Sequence, residues 1–300
     1  MYAVIGVTGN TGSVVVEKML AKGEKVRAIG RHAERLQPFA ARGAEPFVAN
    51  AEDVAALTRA FAGAEAVYAM IPPNMSAPDF LAYSKGVGDA LAAAIEKSGV
   101  KNVVVLSSFG ADKPDKTGPV VGLHYLEEKL NAISGLNALY LRPGYFMENL
   151  LPQVGVIKSF GLMAGPVKAD LRLPLIATRD IGAAAAESLL KLDFEGKRTH
   201  ELLGERDISY SEIAVIVGKA IGKAGLMYQK LPAMQLKPAL MQMGMSASLA
   251  DGLLEMSDAL NSGHMRAIEP RSAANTTPTK LETWVAEVFV PAFRGQSVGA

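Results

Sequence analysis

The stretch Val4-Ile5-Gly6-Val7-Thr8-Gly9-Asn10-Thr11-Gly12 decides the fold. It continues an apolar run that begins at Tyr2 and leads into a helical pattern over 12–21 that stops at Gly23. Strand, glycine turn and helix in this order are the context that gives such spacing meaning. Gly6 allows a tight turn, Gly9 lets backbone approach a pyrophosphate, and Gly12 lets the helix pack closely on the sheet. Free N–H groups and partial positive charge at the helix start suit a phosphate. The motif therefore predicts dinucleotide binding.

Outward from it, short β-branched runs alternate with helical stretches. Strands are expected at 2–7, 25–29, 44–49, 66–71, 102–106 and 136–141, and helices at 12–21, 33–41, 53–61, 79–97 and 121–133. Strict alternation predicts an α/β chain of Rossmann type, a doubly wound parallel sheet with helices on both faces. Its strands should be apolar throughout, as the first, fourth and fifth are. After Pro143 the pattern becomes irregular. A helix opens at Thr178-Arg179-Asp180, a strand covers 199–203, and Ser209 with Glu212 forms a capping box. The chain beyond Gly225 reads as mainly helical, and 295–300 as a fraying tail. Seven of the 13 methionines fall between Met227 and Met265. We place the dinucleotide-binding domain at 1–148, with 180–203 returning to it. A smaller, mainly helical C-terminal lobe of 149–179 and 204–300 should bind substrate beyond the carboxyl ends of the strands, where open α/β sheets take ligands.

Composition narrows the function. The 300 residues are 49% hydrophobic and 20% charged, which excludes a disordered chain. No apolar run approaches the roughly 18 residues of a membrane helix. Absence of cysteine excludes thiol catalysis and disulfides, and four scattered histidines form no metal motif. A net charge of +1 leaves no strongly basic footprint, so no direct nucleic-acid binding is expected. No signal peptide is visible, so a cytoplasmic location is the default. A small-molecule substrate and a monomer or homodimer are expected.

The end of the second strand selects the nucleotide. NAD binders usually place an acid there for the ribose 2′-hydroxyl. This chain reads Ile29-Gly30-Arg31-His32, with no acid before Glu34. Arg31 offers a 2′-phosphate charge and a planar fork, and Arg35 lies one helical turn on. NADP(H) is the expected cofactor.

These residues carry a resemblance to the NmrA-like branch of atypical short-chain dehydrogenases. The matching segments are VTGNTGSVVVEKMLAKGEKVRAIGR at 7–31, AFAGAEAVYAMIPPN at 60–74, AAAIEKSGVKNVVVLSSFGA at 92–111, HYLEEKLNAISGLNALYLRPGYFMENLL at 124–151 and RDIGAAAAESL at 179–189. That group includes quinone and triphenylmethane-dye reductases, plant isoflavone-type reductases and non-catalytic dinucleotide sensors. The resemblance implies that Thr8 to Gly12 bind pyrophosphate and Arg31 the 2′-phosphate. It puts Asn50 against adenine, where many relatives have Asp, and Ile71 and Pro72 beside adenosine and ribose. Ser107 and Ser108 would end a strand near the nicotinamide, and Pro143-Gly144-Tyr145 would run beside its amide. The implied activity is hydride transfer from NADPH to a small conjugated acceptor: a quinone, enone, imine or dye. The alternative is a redox sensor that binds NADP(H) without turnover.

Tyr125 and Lys129 have the Tyr-x-x-x-Lys spacing of short-chain dehydrogenases and would share a helix face. A Lys beside the phenol would lower its pKa, so that the Tyr could protonate a carbonyl oxygen; Lys129 could also fix the nicotinamide ribose, and Ser107 or Ser108 could hold the substrate oxygen. Eight tyrosines make such a spacing easy to meet by chance. In the NmrA-like reductases a His commonly stands five residues before the Lys, the place of His124. Around a helix, His124 lies about 140° from Lys129 and Tyr125 about 40°. Geometry favours Tyr125 as partner and family habit favours Lys129 without it; both arrangements remain open at this point.

Overall fold

A computed structural model describes residues 1–296; the end of the expected tail, 297–300, lies outside the described residues. The first half alternates as expected: β1 Tyr2–Ile5, α1 Asn10–Ala21, β2 Val26–Gly30, α2 Ala33–Ala40, β3 Glu45–Val48, α3 Val54–Phe61, β4 Ala66–Ala69, α4 Phe80–Ser98, β5 Asn102–Leu106, α5 Val120–Asn131 and β6 Asn137–Pro143. The chain continues through β7 Tyr145–Phe146, α6 Gln153–Phe160, β8 Met163–Gly165, β9 Arg172–Ile176, α7 Thr178–Lys191 and β10 Lys197–Leu202. It closes with β11 Asp207–Ser209, α8 Tyr210–Ala220, β12 Tyr228–Lys230, α9 Ala233–Gln242, α10 Ala247–Ser262 and a helical run over 281–293 that contains a π turn.

Seven parallel strands form one sheet in the order β10-β6-β5-β4-β1-β2-β3. This is the Rossmann order, with the reversal between β1 and β4, where such sheets bind ligands. β1 and β4 are buried throughout because neighbours flank them and helices cover both faces. The edges differ. β3 is mostly exposed and carries Pro46, and β10 opens with Lys197 and Arg198. Charge and proline at an edge discourage further strand pairing.

Two cores sandwich the sheet. On one face, Val15, Val16 and Met19 of α1 pack with Ile181, Ala185 and Leu189 of α7. The crossing is close: a Cβ on Gly182 would lie 2.7 Å from the Thr11 carbonyl oxygen. On the other face, Leu57 and Phe61 of α3 pack with Leu91 and Ile95 of α4 and Leu126 and Leu130 of α5. Helix ends are set locally. Asp53 and Asp79 cap α3 and α4, Gly99 closes α4 in the left-handed region, and the Ser209–Glu212 capping box starts α8.

A third core, mostly of the C-terminal part, packs Met147, Leu175, Ile213, Trp284 and Phe289 together with Phe109, Ala111 and Val120 from the loop after β5 and the start of α5. That part meets the loops after β4 and β5. The Ser246 N–H donates to the Met75 carbonyl at 2.8 Å, the Phe80 N–H to Ser248 Oγ at 3.0 Å, and the Gly118 N–H to Glu255 at 3.1 Å. The region beyond Gly225 is mainly helical, as expected, and holds one short strand. β12 pairs in parallel with β8, a partner more than sixty residues earlier. No helix among the described residues is long and apolar enough to cross a membrane.

Candidate active site

The turn between β1 and α1 is built from backbone. Gly6 adopts φ +70°, and the Gly9 N–H donates to the Gly6 carbonyl at 2.9 Å. A Cβ on Gly6 would lie 2.3 Å from Met70 Sδ, and one on Gly12 2.3 Å from the Gly6 carbonyl oxygen. Gly9 is the N-cap of α1, with no side chain satisfying the first turn and no acid within it. The first N–H groups therefore face outward with their partial positive charge. Thr8, Gly9 and Asn10 are exposed, whereas Thr11 is buried and accepts from the Tyr68 hydroxyl at 3.0 Å. Burial raises the Tyr68 phenol well above its ordinary range, so it stays a donor. An open backbone cradle of this kind fits the pyrophosphate of a dinucleotide.

The tips of β2, β3 and β4 stand on the same side of the sheet. Gly30 leaves room for Leu36, 3.0 Å from where a Cβ would stand. Arg31 and Arg35 are exposed and form no ion pair among the described residues. Arg27, by contrast, is tied to Glu45 at 2.8 Å. Two free guanidiniums beside the cradle suit a 2′-phosphate. Asn50 accepts from the Glu52 N–H at 3.4 Å, and Ile71 and Pro72 are partly buried. The Tyr83 hydroxyl donates to the Pro72 carbonyl at 2.8 Å. Sequence reading passed over Tyr83, because nothing in its helical spacing marks it.

At the tips of β5 and β6 the structure brings together residues the sequence left apart. Ser107 is buried, and its hydroxyl donates to Glu127 Oε1 at 2.5 Å. Glu127 in turn receives Arg142 Nε at 3.0 Å and Nη2 at 2.5 Å. The run Glu127-Glu128-Lys129 reads as a solvated helix face, yet Glu127 is only 4% exposed and forms a buried ion pair. Ser107 is thus turned into this network, and Ser108 donates to the Phe109 carbonyl. Pro143 and Gly144 continue from Arg142; the Gly144 N–H donates to Leu202 at 2.8 Å, and a Cβ there would lie 2.3 Å from the Pro174 carbonyl oxygen. Tyr145 meets Tyr210 edge-on at 6.5 Å, and Tyr210 stacks on Tyr228 at 4.4 Å. Burial raises the Tyr145 and Tyr210 phenols, which keeps both protonated at neutral pH.

The structure does not bring Tyr125 and Lys129 to this cleft. They do share a face of α5, but that face turns toward α4. The Tyr125 hydroxyl donates to Asp89 Oδ1 at 2.9 Å, and Lys129 Nζ lies 2.9 Å from the same oxygen. Lys129 also sits 4.9 Å from the Tyr125 ring centroid, with Lys85 at 5.3 Å. Asp89 is the tenth residue of α4, about 14 Å along the axis from its start. Its side chain is half exposed. The Tyr125 hydroxyl and the Asp89 carboxylate raise the Lys129 ammonium above its ordinary range. The cause of this placement is the inward stripe of Leu126 and Leu130, which puts residues one position earlier about 100° away. His124 is committed elsewhere, with Nδ1 2.8 Å from the Ala111 carbonyl oxygen.

Comparison with known proteins identifies the family. The model of the NmrA-like family matches residues 2–285. The chain belongs to the NmrA-like family. It is 29% identical over 258 residues to an NAD(P)H azoreductase of Xenophilus azovorans, covering 85% of this chain and 86% of that protein. It is 30% identical over 262 residues to quinone oxidoreductase 2 of Escherichia coli, with coverage of 85% and 86%. The solved Escherichia coli NADPH-dependent quinone oxidoreductase in complex with NADPH superposes with a TM-score of 0.81 at 27% identity, over 96% of this chain and 100% of that one.

Proposed function

We propose that this NmrA-like protein is an NADPH-dependent reductase that delivers hydride to a small, conjugated, apolar acceptor of the quinone, enone, imine or dye class. One observation carries the reading: a bare α1 N-terminus on a glycine turn, with the exposed guanidiniums of Arg31 and Arg35 after the adjacent strand forming no ion pair among the described residues. Relatives named as azo and quinone reductases support it. The chain is an NAD(P)H-dependent oxidoreductase.

Thr8 to Gly12 would hold the pyrophosphate through backbone N–H groups, with Arg31 and Arg35 on the 2′-phosphate. Asn50, Ile71 and Pro72 would flank adenosine. Ser108 and Pro143-Gly144-Tyr145 would line the nicotinamide end. The bound nicotinamide supplies the hydride. The protein's part is to orient the ring and acceptor and to exclude water. Tyr145 keeps its proton and offers a hydroxyl at that end. Hydride transfer to a quinone or cationic dye needs no buried acid, which fits the placement of Tyr125 and Lys129 away from the cleft.

The test is NADPH consumption across a panel of quinones, enones, imines, azo compounds and dyes, with NADH alongside. Turnover with one class, faster with NADPH, is expected. NADPH binding without turnover on any acceptor would overturn the reductase in favour of a dinucleotide-responsive regulator. Lys129→Ala should keep kcat/KM within about threefold of the parent, since an exposed ion pair contributes little. A hundredfold loss would return Lys129 to the chemistry. Arg31→Ala should weaken NADPH binding roughly ten- to a hundredfold and leave NADH nearly unchanged, as loss of a charged hydrogen bond predicts. Fluorescence titration with both nucleotides measures this, and equal losses would sink the 2′-phosphate assignment.

A further inference from the structure

Two stretches of the C-terminal part carry no acid at all. Over 149–169 and 213–250 the chain has six lysines and not one Asp or Glu. The same stretches hold Phe160, Val215, Met227, Met234, Met241 and Met243, six of the ten large apolar side chains that stand exposed among the described residues. Phe160 is 74% exposed, Met227 71% and Met234 85%. Single exposed apolar residues are ordinary, but a cluster of them marks a surface that meets something.

The fold gathers these residues. β8 and β12 run in parallel, and the Met163 N–H donates to the Met227 carbonyl at 2.9 Å. That bond sets Met227 beside the end of α6, where Phe160 is the last residue. The turn that leads to Met227 folds back on α8. The Lys223 N–H donates to the Gly218 carbonyl at 2.8 Å, and a Cβ on Gly218 would lie 2.7 Å from Leu226 Cβ. Val215, Lys219, Gly222 and Leu226 line one shallow depression there. From the other end of β12 the chain enters α9, which buries none of its residues. Helices owe most of their stability to packing an apolar face, yet Met234 and Met241 of α9 stay outside the core.

The positive charge of this face is uncompensated. Ion pairs tie Lys113, Lys129, Lys191 and Lys237, but Lys219 and Lys223 have no carboxylate at that distance among the described residues. Glu212, the one acid of α8, is held by Arg172 at 2.8 Å. Charge then selects the occupant. A second copy seated face to face would set lysine against lysine. A nucleic acid would match the lysines and leave the apolar side chains in water. A bilayer with anionic headgroups takes up both.

We propose that this face docks on an anionic membrane surface: Phe160, Val215 and Met227 enter the interface, and Lys219 and Lys223 lie against the headgroups. The attachment is peripheral, since no helix among the described residues is long and apolar enough to cross a membrane. α8 starts at Tyr210, which meets Tyr145, so one helix joins the cleft to the docking face. An apolar acceptor dissolved in lipid would then lie near the enzyme, a consequence that rests on the reductase reading; the docking itself does not.

The test is co-sedimentation of the full chain with vesicles of phosphatidylcholine alone and of an equal mixture with phosphatidylglycerol. The parent should bind the mixed vesicles, bind the neutral ones far less, and come off as salt is raised. Lys219→Glu with Lys223→Glu should lower partitioning onto mixed vesicles roughly tenfold or more, as two cations near an anionic surface predict. Phe160→Ser with Met227→Ser should lower it roughly tenfold or more through lost apolar burial. All four positions are exposed, so both variants should melt with the parent. A parent that binds neither vesicle, or both equally, overturns the proposal, as does a charge-reversed protein that binds like the parent. A parent dimer in light scattering that Phe160→Ser with Met227→Ser dissociates would give the face to a second copy and overturn it too.

Discussion

Replacing Arg142 by alanine is expected to lower the unfolding free energy by about 3–5 kcal/mol, the usual result of removing one partner of a buried ion pair. The side chains of Arg142 and Glu127 are only 10% and 5% exposed. Alanine at 142 would leave the Glu127 carboxylate buried with the Ser107 hydroxyl as its remaining side-chain donor. The neutral hydroxyl cannot offset a charge in so dry a place. The damage would reach the cleft, because the pair ties the tips of β5 and β6 together: Ser107 ends one strand, and Arg142 precedes Pro143 and Gly144 on the other. Urea denaturation of the parent and Arg142→Ala proteins measures the loss. The double replacement Arg142→Met with Glu127→Leu should recover most of it, since an apolar pair of similar volume often matches a buried ionic one. An Arg142→Ala protein within about 1 kcal/mol of the parent would show that water reaches the pair and that it is not buried in solution.

That pair also marks where sequence reading stopped. Glu127 stands in an acidic and basic run, and single-sequence periodicity assigns such runs to solvent. Its partner is fifteen residues away, and their meeting depends on β6 lying beside β5, a fact of topology. Tyr83 is hidden for the same reason, since the carbonyl that takes its hydrogen, that of Pro72, lies in the loop after β4 and not on its own helix. Tyr125 and Lys129 show the converse. Their spacing correctly predicted a shared face, but which way that face points depends on Leu126 and Leu130 docking inward. The β1–α1 turn was legible because every element it needs is consecutive in the chain. β3 reads weakly for a physical reason: at an exposed edge it buries little, so its residues need not be apolar. β12 is three residues long and exists only because β8 runs alongside it.

Gly12→Ala is expected to abolish measurable NADPH binding, and its argument sets two opposed effects against each other. Gly12 lies inside α1 with ordinary helical φ, and by propensity alone alanine would be better there by up to about 1 kcal/mol. Sterics decide otherwise. The added Cβ would stand 2.3 Å from the Gly6 carbonyl oxygen, 2.7 Å from the Gly6 carbonyl carbon and 3.0 Å from the Val7 nitrogen. All three are backbone atoms of the turn, and no rotamer change moves them. Either α1 lifts from β1 or the turn opens, and each displaces the N–H groups that would meet the pyrophosphate. Overpacking of this kind costs roughly 1–3 kcal/mol in stability, so the fold should survive while the cradle does not. Thermal melting with and without NADPH separates the two effects. The parent should gain stability as ligand exceeds its dissociation constant, by about 2.7 kcal/mol at a hundredfold excess, and Gly12→Ala should gain none. Gly86→Ala is the matched control: Gly86 is exposed in α4 with nothing within 4 Å of a new Cβ, so that protein should be as stable as the parent or more so and bind NADPH normally. A Gly12→Ala protein that binds NADPH within about twofold of the parent would mean that the dinucleotide is not held at this turn, and the assignment of the cleft would fall with it.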